Sequence, residues 1–187
     1  MNLHSEAVRL LSDWIPVDPG QESLRNAFLA YLAARPDACA RACEPGHLTA
    51  SMVLLDAPAK HVLLTLHPRV GRWLQLGGHC EPGDGSLPDA ALREGTEESG
   101  IDGITVDPMP LHLAVHPITC SLGVPTKHFD VRFVGIAPSG SRPSISTESV
   151  DLAWWPVDAL PAHSGTADDL GKQIDLATAR LRSRRVG

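Results

Sequence analysis

A mixed α/β sandwich preceded by a helical segment is the fold class this sequence predicts, on three observations. Apolar residues recur at helical spacing over residues 1–45, and apolar runs rich in β-branched residues alternate with turn residues from residue 47 onward. Helical spacing then returns near the C-terminal end. Strands that mostly neighbour one another along the chain, with few helices between them, give a mixed sheet covered by helices.

In the N-terminal segment Val8, Leu11, Trp14 and Ile15 repeat at helical spacing, residues 16–20 form a turn, and Leu24, Phe28 and Leu32 repeat again. Cys43, Glu44, Pro45 and Gly46 close this segment, so a helical extension (1–45) precedes the main domain (46–187). Isolated helices this short are marginal in water, so these apolar positions need a surface. The sandwich or a second copy in a homodimer would supply it. Residues 47–56 and 61–67 read as two strands joined by Ala57–Pro58–Ala59–Lys60. Further strands are expected at 73–76, 111–119, 127–137 and 151–157. In 127–137, Phe129, Val131 and Phe133 alternate with Asp130, Arg132 and Val134, which puts Arg132 on a polar face. Trp154 and Trp155 must point to opposite faces, so one of them is expected in the core. From about Thr166 to Arg184, Leu170, Ile174, Ala177 and Leu181 mark a last helix whose basic end suits the helix dipole.

Composition narrows the function classes. The chain has 187 residues, 43% hydrophobic and 20% charged, enough for one domain with a modest appendage. Sixteen basic against 22 acidic residues give a net charge of -6, which argues against nucleic acid as a partner, since phosphate neutralisation needs surplus Lys and Arg. No apolar run approaches the roughly 18 residues that span a bilayer, so no membrane partner is expected. Glu6 and Asp13 sit where a secretory signal would be apolar, and a cytoplasmic location is expected. Four cysteines (Cys39, Cys43, Cys80, Cys120) are too few and too scattered for a disulfide framework. Cys39, Cys43 and His47 have a spacing that invites a zinc reading. Pro45 and Gly46 break any helix aligning them, and small buried thiols are the expectation.

Chemistry concentrates in residues 77–101, GGHCEPGDGSLPDAALREGTEESGI. Two glycines and a Pro–Gly–Asp–Gly loop lead to Ser86, which with Asp89 resembles a capping box. A helix is expected over 87–99, stopped by Gly100. Leu87, Ala90 and Ala91 form its apolar stripe, and steps of three and four continue that stripe through Glu94, Glu97 and Glu98 to Ile101. Three carboxylates thus occupy a packing face, repel one another at helical spacing, and lie toward the end where the macrodipole disfavours negative charge. This is unfavourable unless something cationic sits among them; the alternative is a solvated acidic face, which would put the glutamates opposite the apolar stripe and not along it. Clustered oxygen donors suit Mg²⁺, or Mn²⁺, better than zinc.

Gly78, Asp84, Arg93–Glu94, Glu97–Glu98 and Gly100–Ile101 resemble the Nudix box, here residues 78–101. The resemblance implies a Nudix-type α/β/α sandwich and a divalent-metal-dependent hydrolase that cleaves a diphosphate linkage in a nucleoside diphosphate derivative. It implies Glu94, Glu97, Glu98 and the Gly77 carbonyl as metal ligands and Arg93 as the residue that orients the acids. The catalytic base is then a box glutamate (Glu97 or Glu98) or a later-loop acid, for which Glu148 is the candidate. The chain departs from the pattern in three places: the loop acid is Asp84 rather than Glu, one residue is inserted between it and Arg93, and Gly95 replaces a bulky aliphatic residue at about 1 kcal/mol of helix propensity.

The expected partner is a small-molecule, nucleotide-type substrate. Arg72, Lys127 and Arg132 could meet its phosphates, although each taken singly is expected at the surface, and Trp73 could stack on a base. His67, His79, His116 and His128 read as scattered structural histidines. Two other readings compete. A non-catalytic Nudix-like ligand-binding or regulatory module would lack the glutamates, and an isoprenoid diphosphate isomerase would need Cys80 as a catalytic thiol. The intact glutamate set favours hydrolysis.

Overall fold

The computed structural model describes residues 2–68, 70–119, 123, 125–145, 150–165 and 170–186, with side chains to residue 183. Its elements run α1 (Leu3–Asp13), α2 (Pro19–Ala34), β1 (His47–Leu55), β2 (His61–His67), β3 (Arg72–Leu74), β4 (Leu76–His79), α3 (Leu87–Ser99), β5 (Thr105–Val106), β6 (His112–Thr119), β7 (Pro125–Ile136), β8 (Asp151–Pro156) and α4 (Leu170–Val186). The strands pair in the order β3–β2–β1–β7–β5, with β4 also on β1, β6 on β7 and β8 on β2. Every expected strand is present. The 73–76 run is divided by Gln75 into β3 and β4, and β5, only two residues long, carried no alternation to read. No helix among the described residues is long and apolar enough to cross a membrane.

The chain forms two compact units, one from residues 1–51, 78–91 and 108–133 and the other from 52–77, 92–107 and 134–187. In the first, Asn2 caps α1 by accepting the Ser5 N–H at 2.9 Å, and Asp18 caps α2 by accepting the Gln21 N–H at 2.9 Å. Asp18–Pro19 is therefore a helix start, not part of the expected turn, because proline suits the first helical position. The buried stripe of α1 is Ala7, Leu10, Leu11 and Trp14, one residue out of phase with the expected one. Ile15 lies past the helix end, before Pro16, and is 85% exposed. Helix α2 stops at Ala34 because Arg35 precedes Pro36, so residues 35–45 form turns rather than helix.

The helical pair is anchored by polar contacts as well as apolar ones. Phe28 meets the Phe129 ring edge-on at 5.1 Å, and Tyr31 stacks on Phe129 at 4.3 Å. Buried Gln21 reaches strand β6, where its Oε1 accepts the Leu113 N–H at 2.6 Å, its Nε2 donates to the Leu113 carbonyl at 3.0 Å, and the same Nε2 lies 3.0 Å from His112 Nε2. The amide thus satisfies a backbone donor and acceptor outside the strand ladder.

In the second unit Met52, Val53, Leu54, Leu55, Val62, Leu63 and Leu64 are fully buried. Both faces of these strand segments are covered, so they read as continuous apolar runs. Helix α4 buries Leu170, Ile174, Ala177 and Leu181, the stripe its spacing predicted, and Arg180 lies 3.5 Å from Asp107. Trp154 and Trp155 are both half-buried, so the expectation that one is core is corrected. Strand β8 runs along β2, which puts the two rings on opposite faces, each partly covered; Trp155 meets the Trp73 ring edge-on at 5.3 Å.

Because Gln21, Phe28 and Tyr31 join α2 to β6 and β7, residues 1–40 are structural. Their deletion should produce aggregation or a clearly lower melting temperature in a thermal melt. A soluble truncated protein melting like the full chain would contradict this.

Candidate active site

Helix α3 forms where the sequence places it, and both ends are held. Ser86 Oγ accepts the Asp89 N–H at 3.2 Å, one half of the expected capping box. Glu6, from α1, adds a cap with no sequence signal: its Oε2 accepts the Leu87 N–H at 3.2 Å. A carboxylate there complements the positive end of the helix dipole. Glu6 is buried, and desolvation holds its carboxyl above the ordinary 4.5, although the Leu87 hydrogen bond and Arg9 pull the other way. At the far end Gly100 adopts φ +64°, and the Ser144 N–H donates to the Ser99 carbonyl at 2.7 Å.

The buried stripe of α3 continues through Gly95 and Ser99, with Glu94 and Glu98 half-buried beside it and Glu97 exposed, so the expectation that all three carboxylates occupy the packing face is corrected for Glu97. Leu87, Ala90 and Ala91 are fully buried, Glu94 keeps 13% of its side chain exposed and Glu97 60%. Arg93 Nη1 lies 3.1 Å from Glu94 Oε1 and 3.2 Å from Glu97 Oε2, so one guanidinium bridges two of the like charges. Glu98 Oε2 accepts the Gly77 N–H at 2.9 Å. Gly77, the second residue of the 76–79 strand, has φ +148°, open to glycine alone. Hydrogen bonds thus join Arg93 to Glu94 and Glu97, and Gly77 to Glu98, all within the second unit. Gly95 has a packing reason: a Cβ there would stand 2.7 Å from Met52 Cε, so Met52 fills the space a bulky residue would take. Asp84 Oδ2 accepts the Glu81 N–H at 2.7 Å and so shapes the loop before the helix.

The other singled-out residues are spread. Arg72 and Trp73 are half-buried on β3; Arg72 Nη2 reaches the Ser164 carbonyl at 3.5 Å, while its buried Nε has no partner among the described residues. Lys127 is exposed on β7. Arg132, expected at the surface, is 1% exposed. Its Nε donates to Asp130 Oδ2 at 2.8 Å and its Nη2 lies 2.7 Å from His116 Nε2, while Thr49 and Ser51 donate to Asp130 at 3.1 and 2.9 Å. A buried pair persists when its remaining lone pairs are satisfied, as these are. Glu148 lies outside the described residues, as does Cys120.

Sequence reasoning missed a polar face inside the first unit. On β1, His47, Thr49 and Ser51 are spaced by two, as are His128, Asp130 and Arg132 on β7, and all but half-buried His128 are buried. That double alternation was the available signal. It also gathers two histidines read as scattered, His79 and His128, with His47: the three ring centroids lie 4.9–5.0 Å apart. His47 does not form a ligand set with the cysteines, because its Nδ1 faces the Cys43 carbonyl at 3.3 Å while Cys43 Sγ meets the Tyr31 hydroxyl at 3.4 Å. Cys43 and Cys80 are buried thiols, and burial pushes the half-buried Cys39 up to about 11.

This carboxylate-faced helix, entered through a glycine-rich loop beside a mixed sheet, defines a class of protein, and comparison with known proteins gives it a name. The NUDIX domain family model matches residues 45–175, and the chain belongs to that family. Among solved structures it is similar to a C. elegans Ap4A hydrolase (20% identity, TM-score 0.55, covering 73% of this chain and 98% of that one). It is also similar to the E. coli dihydroneopterin triphosphate pyrophosphohydrolase (20%, 0.57, 71% and 95%). The NUDIX domain of Shewanella oneidensis NrtR, complexed with ADP ribose, is a third (24%, 0.51, 81% and 97%). Among curated proteins none matches the chain.

Two outcomes follow from this geometry. A carboxyl whose pKa is raised by folding opposes stability once ionised, so Glu6→Gln should raise the melting temperature at pH 7–8, the gain fading as pH falls toward 4.5 and absent below it. A gain that persisted at low pH, or none at neutral pH, would show that the ionised carboxylate is not the destabilising species. Gly95→Leu should lower stability by about 1–3 kcal/mol through overpacking against Met52, and Met52→Ala on that background should recover part of the loss in denaturant titrations.

Proposed function

We propose that the chain is a divalent-cation-dependent Nudix pyrophosphohydrolase that cleaves a diphosphate linkage in a nucleoside diphosphate derivative or related nucleotide, with residues 46–187 as the catalytic domain and 1–45 as its extension. The observation that carries this reading is the face of α3, where Glu94, Glu97 and Glu98 crowd together and Arg93 already bridges two of them. Hard carboxylate oxygens beside a backbone carbonyl fit Mg²⁺, with Mn²⁺ the alternative, so Glu94, Glu97, Glu98 and Gly77 would hold the cation. The chemistry such a cation supplies is neutralisation of phosphate oxygens and activation of water near neutral pH.

The chain's own residues do the rest. Arg93 keeps Glu94 and Glu97 from moving apart when the site is charged. Glu98 is oriented by the Gly77 N–H, which its Oε2 accepts. The proton released by attacking water passes to a carboxylate, either a box glutamate, of which Glu97 is the most exposed, or Glu148. Arg72 and Trp73, half-buried on β3, would meet the phosphate and base of the substrate, with exposed Lys127 as a further phosphate contact. Arg132 would act only by positioning, since Asp130 and His116 occupy its guanidinium. The names of the Ap4A hydrolase and the dihydroneopterin triphosphate pyrophosphohydrolase support a nucleotide-type substrate.

Glu94→Gln and Glu98→Gln should each lower kcat by at least about 100-fold in a phosphate-release screen with Mg²⁺ across nucleotide substrates. Without metal both should melt no lower than wild type, because each relieves like-charge repulsion at unchanged volume. Wild-type turnover in either variant at limiting Mg²⁺ would remove the metal-site reading.

A further inference from the structure

His47, at the start of β1, His79, at the end of β4, and His128, on β7, converge in the first unit. One ring nitrogen from each lies within 4.8 Å of the other two. His47 is 1% exposed, and its Nε2 has no hydrogen-bond partner among the described residues; nor has the buried Nε2 of His128. The Nδ1 of His47 faces the Cys43 carbonyl at 3.3 Å, which assigns the ring proton to Nδ1 and leaves a bare lone pair on Nε2. A backbone carbonyl on one ring nitrogen is the usual way a histidine is oriented to bind metal through the other.

From this arrangement we infer a second metal site: His47, His79 and His128 form a three-imidazole site for a divalent transition metal of the zinc class, with a fourth position open to water or another ligand. The inference does not depend on the carboxylate site of α3.

Ligand chemistry selects the metal. Three neutral nitrogens suit Zn²⁺ and its neighbours, whereas Mg²⁺ prefers oxygen. Bonds of about 2.0–2.1 Å would place the nitrogens roughly 3.3 Å apart, so each ring closes inward by less than about 1 Å. An anion is the poorer occupant, because the unpartnered Nε2 of His47 offers a lone pair and not a proton. Arg41 opposes a dication here, and the carboxylate of Asp130 beside His128 favours one.

Tag-free protein titrated with Zn²⁺, and with Co²⁺ as a coloured probe, tests this. Wild type should bind one equivalent that survives in the Glu94→Gln/Glu98→Gln double variant and should melt higher with Zn²⁺ present. His79→Gln and His128→Gln should each lower Zn²⁺ affinity by at least about 100-fold, since losing a ligand costs more than disturbing its orienting partner. X-ray absorption of Zn²⁺-loaded wild type should show imidazole nitrogens around the metal, a reading independent of how any variant folds. Oxygen-only ligation in wild type, or undiminished affinity in folded His79→Gln and His128→Gln, would overturn the site. Loss of the Glu94→Gln/Glu98→Gln activity with zinc binding intact would leave it standing; loss of zinc binding in that double variant would overturn it.

Discussion

Like charges at helical spacing cannot share a half-buried face without a counter-charge, and the site of this protein is arranged around that constraint. Glu94, Glu97 and Glu98 lie seven residues, about two turns, beyond Leu87, Ala90 and Ala91, so the packing of the first turns aims the carboxylates. Arg93, on the same helix, bridges Glu94 and Glu97, and the Gly77 N–H takes Glu98. Each contact is one a cation would make or leave in place. A helix dipole that disfavours negative charge at this end sharpens the need for positive charge.

The other requirement is a helix that stays where it is put. Glu6 accepts the first N–H of α3, while Gln21, Phe28 and Tyr31 bind the helical extension to β6 and β7. The extension is therefore tied to the start of the carboxylate helix by a buried charge that costs stability once ionised. Gly95 lets the helix settle against Met52, at the expense of helix propensity. Packing outweighs propensity at this position.

Inside the first unit the sheet keeps a polar face. Asp130 is held by Thr49, Ser51 and Arg132, and the pair is stable because each partner is satisfied. Of the histidines in the same alternation, His47 and His128 each keep an Nε2 with no partner among the described residues. Orphaned nitrogens in a buried cluster are the exception in folded proteins, where buried polar groups nearly always find partners.

The sequence by itself determined the elements that periodicity and punctuation specify. Helix α3 from Leu87 to its stop at Gly100, the strands that begin at His47 and His61, and the stripe of α4 were all legible, because local spacing and capping residues carry that information. So was the carboxylate face, since helix geometry alone aligns Glu94, Glu97 and Glu98. Tertiary structure decided what lies opposite each face. Arg132 read as surface because strand alternation reports two faces and not what covers them, and the cover comes from Asp130 and His116, the latter on another strand. Ile15 read as core because a helix phase can slip by one residue when the end is set by Trp14 and Pro16. Glu6 at the head of α3, and the meeting of His47, His79 and His128, join residues up to 81 positions apart. Contacts at such separation leave no local pattern, and the folded chain alone brings them together.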